Sequence, residues 1–197
     1  MRLENITKSY TSQNKDTVKV FENLSLVFPE GEVSCITGPS GCGKTTLLNL
    51  IAGVLKPESG SIVFEEKEKG PVSYLFQEPR LLPWRTVLEN CTLVCDDRER
   101  AVHFLELAKI SDKANRFPSE LSGGERQRAA IARAFCYKSN VILMDEPFQN
   151  LDMNLKEELA SLFFKMLKED RRTVIWVSHD SELANTYAKK VIDLTSR

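Results

Sequence analysis

The stretch Gly38-Pro39-Ser40-Gly41-Cys42-Gly43-Lys44-Thr45-Thr46 limits what this chain can fold into more than any other. It fits the pattern G-x-x-x-x-G-K-[ST]. A compact apolar run, residues 33–37, precedes it, and apolar residues at helical spacing follow from Leu47 to a stop expected before Pro57. Strand, glycine-rich loop and helix form the setting in which this pattern binds phosphate. The glycines let the backbone curl until successive N–H groups face one anion. The helix start adds the positive end of its dipole. In such a loop the lysine reaches the β- and γ-phosphates and the next hydroxyl is a magnesium ligand. Those roles fall on Lys44 and Thr45, with Gly38 to Thr46 as the candidate phosphate-binding residues. The loop by itself indicates a nucleotide's phosphates and nothing finer.

A second chemical signal lies downstream. The apolar run of residues 141–144 is followed by Asp145, Glu146 and Pro147. Two carboxylates thereby stand at the C-terminal edge of a predicted buried strand, the edge at which open α/β sheets bind ligands. Asp145 is the candidate magnesium ligand, through water, and Glu146 the candidate for polarising an attacking water. A solvated Asp-Glu turn is the plainer reading of the pair taken alone; the upstream loop favours the site.

Around these two points the chain alternates. Residues 18–21 and 24–28 read as short strands joined to the next by a turn at 29–32. Residues 61–64 and 72–76 read as strands on either side of a charged hairpin tip at 65–69. The periodicity is helical from Thr86 to about Phe117, and again after Gly124. A helix over 155–167, a strand over 173–177, a helix over 182–189 and a strand over 191–194 complete the chain. The predicted class is α/β: a mainly parallel sheet flanked by helices, an antiparallel β subdomain at the N-terminus, and a helical subdomain inserted over about residues 78–137 of a single domain spanning 1–197.

Length and charge bound the rest. The 197 residues suffice for one well-packed domain. A formal net charge of −1 gives no electrostatic footprint for nucleic acid. Neither a secretory leader nor a bilayer-length apolar stretch is recognisable, so the chain reads as cytoplasmic unless a partner holds it at a membrane. The five cysteines are expected to be reduced, with Cys91 and Cys95 packed on one helical face rather than holding a metal.

Leu121-Ser122-Gly123-Gly124-Glu125-Arg126-Gln127 narrows the field. It resembles the signature motif of ATP-binding-cassette (ABC) ATPases, which are P-loop NTPases. Physically it is a second anion cradle: a hydroxyl, two bare glycine N–H groups and a helix N-terminus. Ser122 with Glu125 three residues later is also a capping box, and the two readings are compatible.

The resemblance spans nearly the whole chain and implies ATP and Mg²⁺. It implies that Tyr10 stacks on adenine, unless Tyr10 is merely a strand surface residue. It places Gln77 at Mg²⁺ and the attacking water, and His179 as the switch histidine on the γ-phosphate. Lys44, Gln77, Glu146 and His179 become the catalytic set, and Thr45, Gln77 and Asp145 the metal set. Asn150-Leu151-Asp152 is similar to the end of the family's Ser-Ala-Leu-Asp, with Gln149-Asn150 in place of Ser-Ala and Asp152 retained. His103 matches no motif and reads as structural.

The family also implies partners. Each ATP would lie between the phosphate loop of one copy and Ser122, Gly123, Gly124 and Glu125 of a second, so an ATP-dependent homodimer is expected. The segment from Gln77 to Asn90, with Leu81, Leu82 and Trp84 around two prolines, is similar to that of importers of nitrate, sulfonates and taurine. It is either a packed inner loop or a docking groove for a membrane subunit. Two integral membrane permease subunits and an external solute-binding protein would follow. Relatives of this import type run further past the last strand, so a C-terminal segment is expected to be missing or supplied elsewhere. An exporter or lipoprotein-extrusion ATPase remains a rival. Less favoured are a soluble ABC ATPase acting on nucleic acid and a non-ABC P-loop kinase.

Overall fold

The three central strands of the larger sheet are buried on both faces. The computed structural model describes residues 1–11 and 17–196. Its five-stranded sheet runs β5(Ser73–Leu75), β6(Val141–Asp145), β7(Thr173–Val177), β3(Val33–Thr37), β8(Lys190–Asp193), all neighbours parallel. Alternate side chains of β6 leave opposite faces. Ile142 and Met144 join one core with Trp176, and Val141 and Leu143 join another with Ile175 and Val177. Parallel strands covered on both sides read as continuous apolar runs for this reason.

The helices supply the covers. Leu47, Leu48, Leu50 and Ile51 of α1(Lys44–Ile51) pack on the second core. The first core is closed by α2(Val87–Cys95), α3(Arg98–Leu107), α4(Gly123–Cys136) and α5(Met153–Glu169). Each large side chain removed from water here, such as Trp176, Phe135 and Phe163, contributes about 1.5–3 kcal/mol relative to exposure. Cys95 donates to the Cys91 carbonyl within α2. Burial pushes the Cys35 thiol up to about 12, so it packs as a neutral group. The last helix, α6(Ser181–Tyr187), follows β7. No helix among the described residues is long and apolar enough to cross a membrane.

A three-stranded antiparallel sheet, in the order β2(Thr17–Val27), β1(Arg2–Thr11), β4(Ser59–Val63), packs Leu3, Ile6, Phe21, Leu24 and Leu26 against the second core. The predicted α/β class, with its parallel sheet and N-terminal antiparallel piece, is the one observed.

Several expectations are corrected. The two strands predicted at 18–21 and 24–28 are one, β2, bulged at Asn23, whose φ is 52° and whose N–H meets Thr7 Oγ1 at 3.2 Å. The ten-residue β1 was not predicted. A second bulge at Asn5, φ 51°, separates its buried Leu3 and Ile6 by three positions and breaks the two-residue alternation. Gly60 of β4 passes so close to the Glu4 and Asn5 carbonyls that a side chain there would collide with them.

Residues 65–69 are not a hairpin tip, because β4 and β5 belong to different sheets. The segment is a 3-10 turn, Glu66–Glu68, that buries Glu68 against Thr173, whose hydroxyl donates to the carboxylate at 2.7 Å. Helix α1 does stop before Pro57, but already at Ile51, so Val54 and Leu55 lie outside it. Gly53 takes the left-handed conformation at φ 72°, and Val54 is left exposed. The helical stretch after Thr86 breaks at Asp96, φ 49°, where Asp97 caps α3.

Candidate active site

Four parallel strands deliver their following loops to the same edge of the sheet. The phosphate loop follows β3, Gln77 follows β5, Glu146 follows β6 and His179 follows β7. Proximity of residues far apart in sequence is thus a property of the sheet.

Within the loop, Gly38, Gly41 and Gly43 hold φ values of 144°, 81° and 100°. At Gly43 a side chain would also run into Val20 and Phe21. Lys44 is only 6% exposed, and its ammonium donates to the carbonyls of Gly38 and Pro39 at 2.8 and 2.9 Å. Among the described residues no carboxylate pairs with it. A buried cation held by neutral carbonyls alone suits a site that receives an anion.

The loop forms the floor of a cleft of about 390 Å³ lined also by Tyr10, Thr45, Thr46, Glu146 and His179. The Tyr10 hydroxyl lies 3.3 Å from Thr46 Oγ1, with the ring 43% exposed. Thr45 donates to Asp145 Oδ1 at 3.3 Å, and the Tyr74 hydroxyl donates to Oδ2 at 3.3 Å. Burial, reinforced by the Asp145 charge, pushes the Tyr74 hydroxyl well above its ordinary value and keeps it a donor. Hydroxyl and carboxylate oxygens at this corner form a hard-donor set of the kind Mg²⁺ uses.

Glu146 sits at φ 48°, a left-handed conformation uncommon for a residue with a side chain, fixed by its N–H to Val177 O at 3.1 Å. Its Oε1 lies 2.9 Å from His179 Nε2. Gln77 stands outside the cleft lining and donates from Nε2 to Gln149 Oε1 at 2.7 Å.

The signature segment is elsewhere. Ser122 caps α4, accepting from the Glu125 N–H at 3.2 Å while Glu125 accepts from the Ser122 N–H at 2.7 Å. The capping box is therefore present. None of residues 122–125 lines the phosphate-loop cleft. Asp152 caps α5 through the Leu155 N–H at 3.0 Å and is also absent from the cleft.

Sequence reasoning missed three connections. Gln127 of α4 donates to Pro147 O at 2.7 Å and ties the signature helix to the loop after Glu146. Tyr74 reaches Asp145. Lys156 pairs with Asp180 at 2.8 Å, and Asp180 caps α6 directly after His179. No local pattern announces partners this far apart in sequence, although the capping preference of Asp was readable at Asp180.

Fold and site together define a nucleotide-phosphate-binding α/β domain with its ligand edge at the strand C-termini. The family profile described as ABC transporter matches residues 21–149. This chain belongs to the ABC transporter family. The aliphatic sulfonates import ATP-binding protein SsuB of Zymomonas mobilis is 40% identical over 195 residues, 96% of this chain and 81% of that protein. The bicarbonate transport ATP-binding protein CmpD of Synechocystis sp. is 36% identical over 210 residues, 100% of this chain and 74% of that protein. The dimeric structure of MJ0796, a bacterial ABC transporter cassette, matches with a TM-score of 0.84 at 33% identity, over 98% of this chain and 93% of that one. A dimeric post-hydrolysis state of MJ0796 bound to ADP and Pi matches with a TM-score of 0.83. The chain is accordingly an ATP-binding ATPase of the transporter class, and import subunits are among its relatives.

Proposed function

We propose that two copies of this chain close around two ATP molecules and drive a small-anion importer from the cytoplasmic face of a membrane. One observation carries the reading. The phosphate loop, Glu146 and His179 share one cleft, while the glycine-rich start of α4 lies outside it. A second anion cradle that lies outside the cleft of its own chain is suited to the nucleotide of another copy. The dimeric structure of MJ0796 supports the pairing of two copies.

In this reading Gly38 to Thr46 and Lys44 hold the triphosphate, and Tyr10 stacks on the base. Glu146 orients and polarises the water; His179, whose Nε2 lies 2.9 Å from the Glu146 carboxylate, contacts the γ-phosphate. Ser122, Gly123, Gly124, Glu125 and Asp152 act on the nucleotide of the facing copy. Thr45, Asp145 and Gln77 would hold Mg²⁺, which when bound neutralises developing charge on the phosphate oxygens. Residues 78–137 act as the helical subdomain. The exposed Trp84, 70% accessible, marks the segment offered to a permease subunit. Two permease subunits and an external solute-binding protein complete the transporter. The named solutes of SsuB and CmpD, sulfonates and bicarbonate, support a small anion as cargo.

The test is affinity purification of the tagged chain from detergent-solubilised membranes of its source. Co-purification of integral membrane subunits, with magnesium-dependent phosphate release from ATP, is the expected result. Recovery free of membrane subunits, or no phosphate release, would count against it.

A further inference from the structure

Gln149 is one of the two positions at which this chain departs from Ser-Ala-Leu-Asp, and its side chain makes a contact a serine is too short to copy. Gln149 Oε1 accepts from Gln77 Nε2 at 2.7 Å across 72 residues of sequence. Gln149 is itself fixed, because its N–H donates to Glu146 O at 3.1 Å in the turn that follows β6. On the other side, β5 runs beside β6 with Leu75 opposite Met144, which brings the start of the Gln77 segment next to that turn. Both side chains are exposed, so without this bond the Gln77 amide would rotate freely.

An amide has two ends, and only its oxygen can ligate a cation. The bond to Gln149 occupies the nitrogen end and leaves Gln77 Oε1 as the open one. We infer that Gln149 is a positioning residue for Gln77: it restrains the amide beside the turn after β6, with the oxygen end unengaged in the observed pairing, so that less freedom is lost when that oxygen meets magnesium. This rests on the reading of the cleft as a magnesium–ATP site.

The test compares Gln149→Met, similar in length but without an acceptor, with Gln149→Glu, which keeps an oxygen for Gln77 Nε2. Two readouts are used. Hydrogen–deuterium exchange over residues 76–84 of the nucleotide- and magnesium-free protein reads the contact itself. The magnesium half-saturation of ATP hydrolysis, taken apart from kcat at saturating magnesium, reads its consequence. Gln149→Met is expected to exchange faster in that segment and to raise the magnesium half-saturation about three- to tenfold, the weight of one hydrogen bond, with a smaller change in kcat. Gln149→Glu is expected to keep slow exchange and a half-saturation no higher than the parent's. Parent-like exchange and magnesium dependence in Gln149→Met would overturn the proposal while leaving the ATPase reading intact. Absence of magnesium-dependent hydrolysis in the parent would overturn that reading and this proposal with it.

Discussion

His179 Nε2 lies 2.9 Å from Glu146 Oε1 across the mouth of the phosphate-loop cleft. The two reach each other because β6 and β7 are adjacent and parallel, with Asp145 opposite Val177. An imidazole anchored on a carboxylate holds one orientation, and orientation is what a group acting on a γ-phosphate has to contribute.

His179→Ala should therefore lower turnover by about a hundredfold or more, the usual loss of one positioned charge-stabilising group. ATP affinity should change far less. Steady-state phosphate release alongside equilibrium binding of a fluorescent ATP analogue separates the two; a variant with parental turnover would remove His179 from the reaction.

Lys44 leads to the opposite pattern. Its ammonium already rests on the Gly38 and Pro39 carbonyls inside the loop, with no carboxylate partner among the described residues to leave. Lys44→Ala should weaken ATP binding itself by about tenfold to a hundredfold, the range for hydrogen bonds to a charged group. Calorimetric titration reads this directly, and undiminished affinity would contradict the assignment.

Acid should loosen the segment behind His179. The Lys156 ammonium, with the helix N–H groups of α6, holds the Asp180 carboxyl below its ordinary 3.8. A carboxyl lowered in the folded state contributes stability that is present above its unfolded value and is lost as pH falls through the folded one. The contribution, about 1 kcal/mol or less for such a pair, is thus present at neutral pH and fades below roughly pH 4. Lys156→Met should lower the melting temperature at pH 7, with the gap to the parent narrowing in acid. A gap that widens in acid would reverse the sign and refute the pairing.

Ser122 offers a way to separate capping from phosphate binding. Aspartate caps a helix as well as serine does, so Ser122→Asp should keep folding stability within about 0.5 kcal/mol of the parent's. The new carboxylate would repel a triphosphate held by the facing copy, and ATP-dependent association should disappear. Association at parental strength would confine Ser122 to its capping role.

Local chemistry was legible in the sequence, and long-range partnership was not. The phosphate loop declares itself because glycines at fixed spacing have a direct backbone meaning. Strands β3 and β7 were read to their ends because they are buried on both faces. Strand β1 escaped because the bulge at Asn5 destroys the alternation that marks a strand. Glu68 was misread as part of a charged hairpin tip because its partners, the Met1 ammonium and Thr173, both lie far from it in sequence. For the same reason Gln149 looked like a mere departure from a motif until its contact with Gln77 was visible.

The most direct measurement is the mass in solution of the Glu146→Gln protein with ATP and magnesium, by light scattering behind size exclusion. Removing the carboxylate while keeping its shape should preserve nucleotide binding and stop hydrolysis. A stable dimer carrying two ATP per pair is the expected result, reverting to monomer when ATP is withdrawn. A protein saturated with ATP that stays monomeric at every concentration would contradict the shared-nucleotide account.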